Sequence, residues 1–407
     1  MTMAYNITPG VYTQDIFPIS ATGLRTGVPA FLGLAERGPL AQPQALTSWL
    51  EFTQAFGVGL SNGYLSDAVR SFFANDGRLC YVVRLADDTP TALQAGLAAI
   101  ATRETIDLVC APDIMRPLLE LERSALEQDP TWGRYVGQLG QRNPGPTQPV
   151  RALTMQRALL DHCAQQGDRF AILDPLPAAG VADVLEQRRA LSGANGALYY
   201  PWIRVQTEAG ASRFTPPCGA IAGVYARSDQ LNGVHKAPAN ETLVGALDSE
   251  VALTDVQQDQ LNPLQVNCLR ARPKQGIRIW GARTLSSDPA WRYVNVRRLF
   301  LTVGRWLSYT MGGVAFEPND PRLWAWIERE ISVYCTTLWE RGALQGRTVQ
   351  EAFFVACNAA TNPAEVRESG QVVSMIGLAP TFPSEFVVVR ITHSAAGVSI
   401  DGPVTPA

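Results

Sequence analysis

At 407 residues the chain is longer than one ordinary domain and implies two or three. Its 46% apolar and 17% charged residues are those of a globular protein with ample core. A formal net charge of -3 excludes long-range attraction to nucleic acid or to an anionic membrane, and no basic cluster reaches the scale a polyanion needs.

The first 20 residues read as an extended arm, because Pro9-Gly10-Val11-Tyr12-Thr13 and Pro18 exclude a helix and the apolar content is thin. Neither a signal peptide in Met1 to Gln14 nor an apolar run near the roughly 20 residues of a spanning helix is present. The expectation is synthesis and folding in the cytoplasm, without membrane insertion. Val28 to Ala35 is a buried-type strand, followed by short helices over Trp49 to Phe56 and Tyr64 to Asn75 and a strand over Leu79 to Leu85. From about residue 102 the pattern alternates. Strands at Ile106 to Ala111, Phe170 to Leu173, Ala197 to Val205 and Gln265 to Leu269 are separated by helices at Leu153 to Gln165, Val181 to Leu191 and Gly219 to Ala226. That order predicts a parallel, helix-covered sheet. The Gly-, Pro- and Gln-rich stretch from Gln128 to Pro149 reads as an exposed insertion.

Beyond Pro289 the chain is helical again, with Leu299, Val303 and Trp306 on one stripe. A second helix opens at Asn319-Asp320-Pro321, a cap residue followed by proline, and stops at Arg341-Gly342. Leu323, Ile327, Ile331, Tyr334 and Leu338 give it one buried face, opposite a polar face carrying Arg322, Arg329, Glu330 and Arg341. Phe353 to Cys357 and Phe386 to Ile391 read as strands. A sparse tail follows, with Val398, Ile400 and Val404 as its large apolar residues. A strand running into such a tail offers an open edge, which is either blunted or paired by another chain.

Little in the chain points to a reaction. Seven cysteines, odd in number and without a CxxC pair, read as small core residues. His162-Cys163 lacks a second pair at ligand spacing, and adjacent helical residues diverge, so no metal is expected. No GxxxxGK[ST] loop is present, and no cofactor is expected. The arginines of Gly281-Ala282-Arg283 and Arg297-Arg298 are expected to pair with carboxylates between domains or subunits.

Two glycine-punctuated segments carry the most pattern. Pro216-Pro217-Cys218-Gly219-Ala220-Ile221-Ala222-Gly223 continues to Gly233-Val234-His235-Lys236-Ala237-Pro238-Ala239-Asn240. Gly276-Ile277-Arg278-Ile279-Trp280-Gly281-Ala282-Arg283 continues to Trp291-Arg292-Tyr293-Val294-Asn295-Val296-Arg297-Arg298-Leu299. With the opening Pro9-Gly10-Val11-Tyr12, and with Leu344-Gln345-Gly346, Thr361-Asn362-Pro363 and Pro383-Ser384-Glu385-Phe386 in this order, the chain resembles contractile tail sheath proteins from Thr8 to about Thr392. The Thr26 to Gly33 run and the short length resemble in particular the sheaths of phage-like injection particles.

The fold class this resemblance implies is α/β and α+β: a subtilisin-like parallel α/β domain inserted in an α+β sheath assembly core, with extended N- and C-terminal arms. The division is 1-20 arm, 21-101 N-terminal part of the assembly core, 102-283 α/β domain, 284-392 C-terminal core domain and 393-407 arm. The implied role is a non-enzymatic, polymerising subunit. Arms carrying Val11, Tyr12, Thr13, Ile16, Val387, Val389, Ile391, Val398 and Ile400 add strands to neighbouring subunits. Hexameric rings stack around an inner tube protein, and Arg322, Arg329, Glu330 and Arg341 are candidate tube contacts. Partners are the chain itself, the inner tube, and baseplate and terminal cap proteins, with no nucleic acid. Two alternatives stand beside it: a paralogue forming one baseplate-proximal or cap ring, and a subtilisin-like hydrolase. The hydrolase would need a triad from His162, His235 or His393, yet none lies in an HGT context and no GTS nucleophile opens the helix at Pro217-Cys218-Gly219. Asp113 sits where an orienting carboxylate could, but such an Asp also serves as a turn residue.

Overall fold

The structure is a computed structural model that describes residues 24–116, 149–208, 210–314, 317–381, 387–394 and 397–403, the last two stretches as strand course alone. Six strands, β1 (Pro29–Gly33), β3 (Cys80–Arg84), β4 (Leu108–Cys110), β5 (Phe170–Leu173), β6 (Gly196–Tyr200) and β10 (Val266–Arg272), run parallel in one sheet. Antiparallel edges, β2 (Gln44–Leu46) and β11 (Gly276–Trp280), complete the order β11-β10-β6-β5-β4-β1-β3-β2. Phe31, Val82, Cys110, Phe170 and Tyr199 face one core, covered by α1 (Trp49–Phe56), α2 (Leu65–Ala74) and α6 (Cys218–Asn232). Ala30, Leu32, Val83, Val109 and Leu173 face the other, covered by α3 (Pro90–Ile100), α4 (Pro149–Gln166) and α5 (Val181–Arg189), with Leu261 of α7 (Asp255–Leu261). Both faces are dry, which is why these strands read as unbroken apolar runs rather than alternating ones.

The parallel sheet runs across the division at residue 101. β1 lies between β3 and β4, with Phe31 opposite both Val82 and Cys110. Residues 29–84 thus supply β1, β2 and β3 to the same sheet as the strands beyond residue 101. The link is α3, capped by Thr89 and opened by Pro90, which carries the chain from β3 over β1 to β4. The expected single strand Ala197 to Val205 is also two. It breaks at Pro201, which has no N–H for a ladder, and β7 (Ile203–Gln206) pairs instead with β8 (Ser212–Thr215) and β9 (Asp248–Ser249). The arm residues Val11, Tyr12, Thr13 and Ile16, and the insertion up to residue 148, lie outside the described residues.

The glycines of α6 have a packing reason. A Cβ on Gly219 would stand 2.2 Å from the Ala68 carbonyl oxygen, and one on Gly223 would stand 2.6 Å from that of Phe72. Residues four apart on one helix thus let it lie directly on the α2 backbone. Gly219→Ala gains helix propensity of about 1 kcal/mol but cannot fit without moving α2. It is expected to destabilise the chain by about 2–3 kcal/mol net in urea unfolding, the overpacking range; a stabilised variant would contradict this contact.

The second unit joins α8 (Val294–Met311), α9 (Pro321–Glu340), α10 (Val349–Ala352) and α11 (Ala364–Glu368) to a four-stranded antiparallel sheet. Its strands are β12 (Phe353–Ala356), β13 (Val372–Leu378), β14 (Val387–Ser394) and β15 (Gly397–Pro403), in sequence order. Asp320 caps α9 through Oδ1, which accepts the N–H of Arg322 at 2.8 Å and of Leu323 at 3.0 Å. Trp324, Ile327, Ile331 and Cys335 of α9 pack on Leu299, Phe300, Val303 and Leu307 of α8 and on Ile376 and Leu378 of β13. Trp306 stacks on Tyr334 with ring centroids 3.9 Å apart.

Within this chain β14 runs through His393 and Ser394, and Gly397–Pro403 runs antiparallel along it, with Ile391 opposite Ile400. The alternation Val398-Ser399-Ile400-Asp401 is strand chemistry, and Gly397 opens it. Ordered as they are, the strands leave the outer edge of β15 unpaired among the described residues.

Candidate assembly surfaces and the domain joint

The two units share α8. Its Val294 and Leu301 belong to the core under the parallel sheet, while Val296, Leu299, Phe300 and Val303 belong to the second core. Between them Arg298, 2% exposed, donates to both carboxylate oxygens of Asp229 at 2.9 and 2.6 Å and to Asp107 at 3.1 Å. Its guanidinium lies over the Tyr225 ring, 4.7 Å from the centroid. Burial alone would lower the Arg298 pKa, but the Asp229 and Asp107 charges overcome it and keep the group cationic. Asp107 also accepts the N–H of Gly27 at 3.0 Å and of Val28 at 2.6 Å. Two turns further along, Arg305 donates to the carbonyls of Arg25 and Glu104 at 3.2 and 2.9 Å. The joint is thus a buried ionic knot that fixes the entry to β1, the start of β4, α6 and α8 together. Arg298 pairs with carboxylates across domains as its context suggested. Arg297 instead donates to the Asn195 side-chain oxygen at 2.6 Å and covers Trp291, and Arg283 donates to the Asn262 carbonyl at 2.9 Å.

The start of α6, where a nucleophile would stand in a hydrolase, holds no such chemistry. Cys218 donates its N–H to Asp174 at 2.8 Å, and the groups acting on its thiol are Asp174 and Cys110, with no histidine among them. Burial, with those neighbours, raises that thiol well above its ordinary pKa, so it stays protonated and unreactive. Asp113 accepts the N–H of Leu34 at 2.6 Å and of Tyr64 at 2.5 Å, tying two loops together, which is the turn role. Burial pushes its carboxyl up to about 6. His162 is held neutral, down at about 4, by burial and then by Arg169, whose Nη1 is 3.3 Å from its ring. Cys163 points into the apolar core and not toward a shared ligand site.

Burial also pushes Asp174 up to about 7, against the Cys218 hydrogen bonds that lower it. Folding therefore favours the protonated form. The contribution is complete below an ordinary carboxylate pKa near 4 and is lost as the pH rises through about 7. Asp174→Asn keeps an acceptor for Cys218 without the charge. It is expected to raise unfolding free energy at pH 8 by up to about 4 kcal/mol and to flatten the stability gain between pH 8 and pH 5. Equal pH slopes for variant and wild type in urea titrations would contradict this.

On α9 the four polar residues do not share one line. Arg322 and Arg329 point away from the core, together with Val333, which is 60% exposed. Glu330 and Arg341 lie about a quarter-turn round. Arg329 and Glu330 pair at 3.0 Å on the surface, a contact worth roughly 0 to 1 kcal/mol. Val387, Val389 and Ile391 fall on β14, and Val398 and Ile400 on β15, next to the open edge. The strand that holds β14, β13, was missed from sequence although Val372-Val373-Ser374-Met375-Ile376-Gly377-Leu378 is an apolar run bounded by Gly370 and Pro380. Asp107 and Asp229 were missed as joint residues because Asp107 stands alone at the head of an apolar run, while Asp229, within Arg227-Ser228-Asp229-Gln230, reads as part of a solvated helix end.

Two family models match the chain consecutively and cover more than half of it: the phage tail sheath protein central domain over residues 146–285 and the phage tail sheath C-terminal domain over residues 286–394. The tail sheath protein of Vibrio phage KVP40 is 26% identical over 234 residues, 56% of this chain and 33% of that protein, so the match spans about a third of that relative's length. Among solved structures, a chain of the anti-feeding prophage baseplate, 6-fold symmetrised, superposes with a TM-score of 0.69 at 29% identity, over 94% of this chain and 98% of that one. A chain of the PVC extracellular contractile injection system sheath complex, in the contracted state, gives 0.69 at 26% identity over 97% and 99%.

Proposed function

Because the chain belongs to the contractile tail sheath family, we propose that it is the structural sheath subunit of a contractile injection particle. In this reading it polymerises as stacked hexameric rings around an inner tube, and contraction of the lattice drives the tube through a target envelope. The parallel α/β unit is read as the family's subtilisin-like domain, decorating the lattice, and the second unit with its β12 to β15 sheet as the part that assembles. The observation that carries this is the outer edge of β15, unpaired among the described residues, on a sheet joined through α8 to the rest of the molecule.

The mechanism is strand addition. An arm carrying Val11, Tyr12, Thr13 and Ile16 pairs with the sheet of a neighbouring copy, and the C-terminal strand with Val398 and Ile400, which folds back on its own β14 in the single chain, exchanges onto β14 of a neighbour beside Val387, Val389 and Ile391. Four to six backbone hydrogen bonds at roughly 0.5 to 1.5 kcal/mol each give a few kcal/mol per joint. Two arms on every subunit make the lattice persistent, since losing one link does not release the subunit. Such arms also let rigid subunits reorient while tethered. The driving energy is the extra surface that subunits bury against one another in the contracted lattice, without nucleotide hydrolysis.

The outward line of α9, with Arg322, Arg329 and Val333, is the proposed tube-facing surface; Glu330 and Arg341 flank it. Further partners are the baseplate and terminal cap proteins. No described helix is long and apolar enough to cross a membrane, and the reading needs neither membrane insertion nor nucleic acid: the protein is made in the cytoplasm and assembled into the particle. A second reading, a ring beside the baseplate, is favoured by the similarity to a chain of a baseplate assembly. Electron microscopy of the purified protein separates them: helical tubes are expected, single rings would favour the second reading, and monomers would contradict both.

A further inference from the structure

A cleft of about 750 Å³ opens between the two units, away from the ionic knot of the joint. Lys236, from the loop after α6, and Arg283, after β11, line the side belonging to the parallel sheet. Arg341, at the C-terminal end of α9, lines the other. The first turn of α8, with Tyr293 and Asn295, opens onto the same space and adds the positive end of its helix dipole.

The charges here are under-compensated. Lys236 pairs with Glu241 at 2.9 Å, and Glu241 is shared with Arg227 at 3.7 Å. Arg283 reaches a backbone carbonyl, that of Asn262, and no carboxylate pairs with it or with Arg341 among the described residues. His235 adds no charge of its own, since burial, then the Arg341 guanidinium, lower its pKa. Meanwhile the chain exposes Glu104, Glu317, Glu340, Glu365 and Glu368 without a cationic partner among the described residues. Two guanidinium forks facing an open cleft match carboxylate geometry.

We propose that this cleft is an intersubunit socket that receives a carboxylate side chain of a second copy of the chain between Arg283 and Arg341, beside Lys236. It rests on the polymerising reading above and deepens it. The socket spans both units of one subunit, so an occupant from a neighbour ties the lattice to the relative placement of the two units.

The composition supplies the test. Lys236 and Lys274 are the only lysines, against 32 arginines. A water-soluble carbodiimide, which joins an amine to a carboxylate in contact with it, therefore reports on this cleft almost alone. Full-length wild-type chain, half of it labelled with nitrogen-15, would be co-assembled, treated and analysed by mass spectrometry. Expected are Lys236-to-Asp/Glu linkages of mixed isotope composition in tubes, absent before assembly, with the Lys236-to-Glu241 linkage within one chain in both. The variant Arg283→Ala with Arg341→Ala is expected to lose the mixed linkage while its thermal midpoint and its Lys274 products stay as in the wild type. Tubes without mixed linkages at Lys236, or a variant that keeps them, would overturn the socket and leave the sheath reading standing. A wild-type chain that forms no polymer would overturn the sheath reading and the socket with it.

Discussion

Arg298→Met is expected to destabilise the chain by about 3–5 kcal/mol in denaturant unfolding, the cost of leaving a buried charge pair without one member. Methionine fills much of the same space, so the loss is electrostatic rather than a cavity. It takes from Asp229 the fork that holds both its oxygens, leaving the Thr26 hydrogen bond, and leaves Asp107 its N–H donors from Gly27 and Val28 and the more distant Arg305 guanidinium at 4.0 Å. Arg298→Lys restores a charge without the fork that holds both Asp229 oxygens, and should recover part of the loss. Arg298→Met combined with Asp229→Asn should cost less than the sum of the two single changes, the coupling expected of direct contacts. Additive effects, or a loss below about 1 kcal/mol for Arg298→Met, would show that the knot does not hold the joint.

Removing the last strand should have its largest effect on assembly and not on folding. A chain ending at residue 396 lacks β15, whose pairing partner among the described strands is β14. The monomer keeps both the α8–α9 core and the β12 to β14 sheet and is expected to stay folded, with an unfolding midpoint lowered by loss of the β14–β15 pairing. Loss of about four backbone hydrogen bonds of about 1 kcal/mol at each joint should raise the concentration needed for polymerisation about a thousandfold. Sedimentation of wild-type and shortened chains over a concentration series measures this directly. Polymers at an unchanged threshold would exclude the C-terminal strand as a link.

Local chemistry was legible in the sequence and long-range pairing was not. The Asn319-Asp320-Pro321 start of α9 and the β5 run Phe170 to Leu173 were readable because caps and short apolar runs carry their own signals. The place of β1 was not, since a dry strand reads the same whichever sheet it joins, and its partners Val82 and Cys110 lie far along the chain. α3 was within reach: Thr89-Pro90 is a cap with proline at the first helical position, and Leu93, Leu97 and Ile100 form its buried side. The glycines of α6 stood out as a pattern, but their cause, contact with the α2 backbone at Ala68 and Phe72, is a tertiary fact. The same holds for the candidate surfaces. Sequence marked the polar side of α9, whereas the structure separates Arg322 and Arg329 from Arg341, which faces the interdomain cleft.

The central claim is that this chain builds a lattice by exchanging strands at the sheet of its second unit. Cryo-electron microscopy of particles assembled with the inner tube, at a resolution that traces strands, tests it most directly. Stacked hexameric rings in which the β12 to β15 sheet of each subunit carries at least one strand from a neighbouring chain are the expected result. Rings or tubes in which every strand of that sheet comes from one chain, with β15 still paired to its own β14, would contradict it.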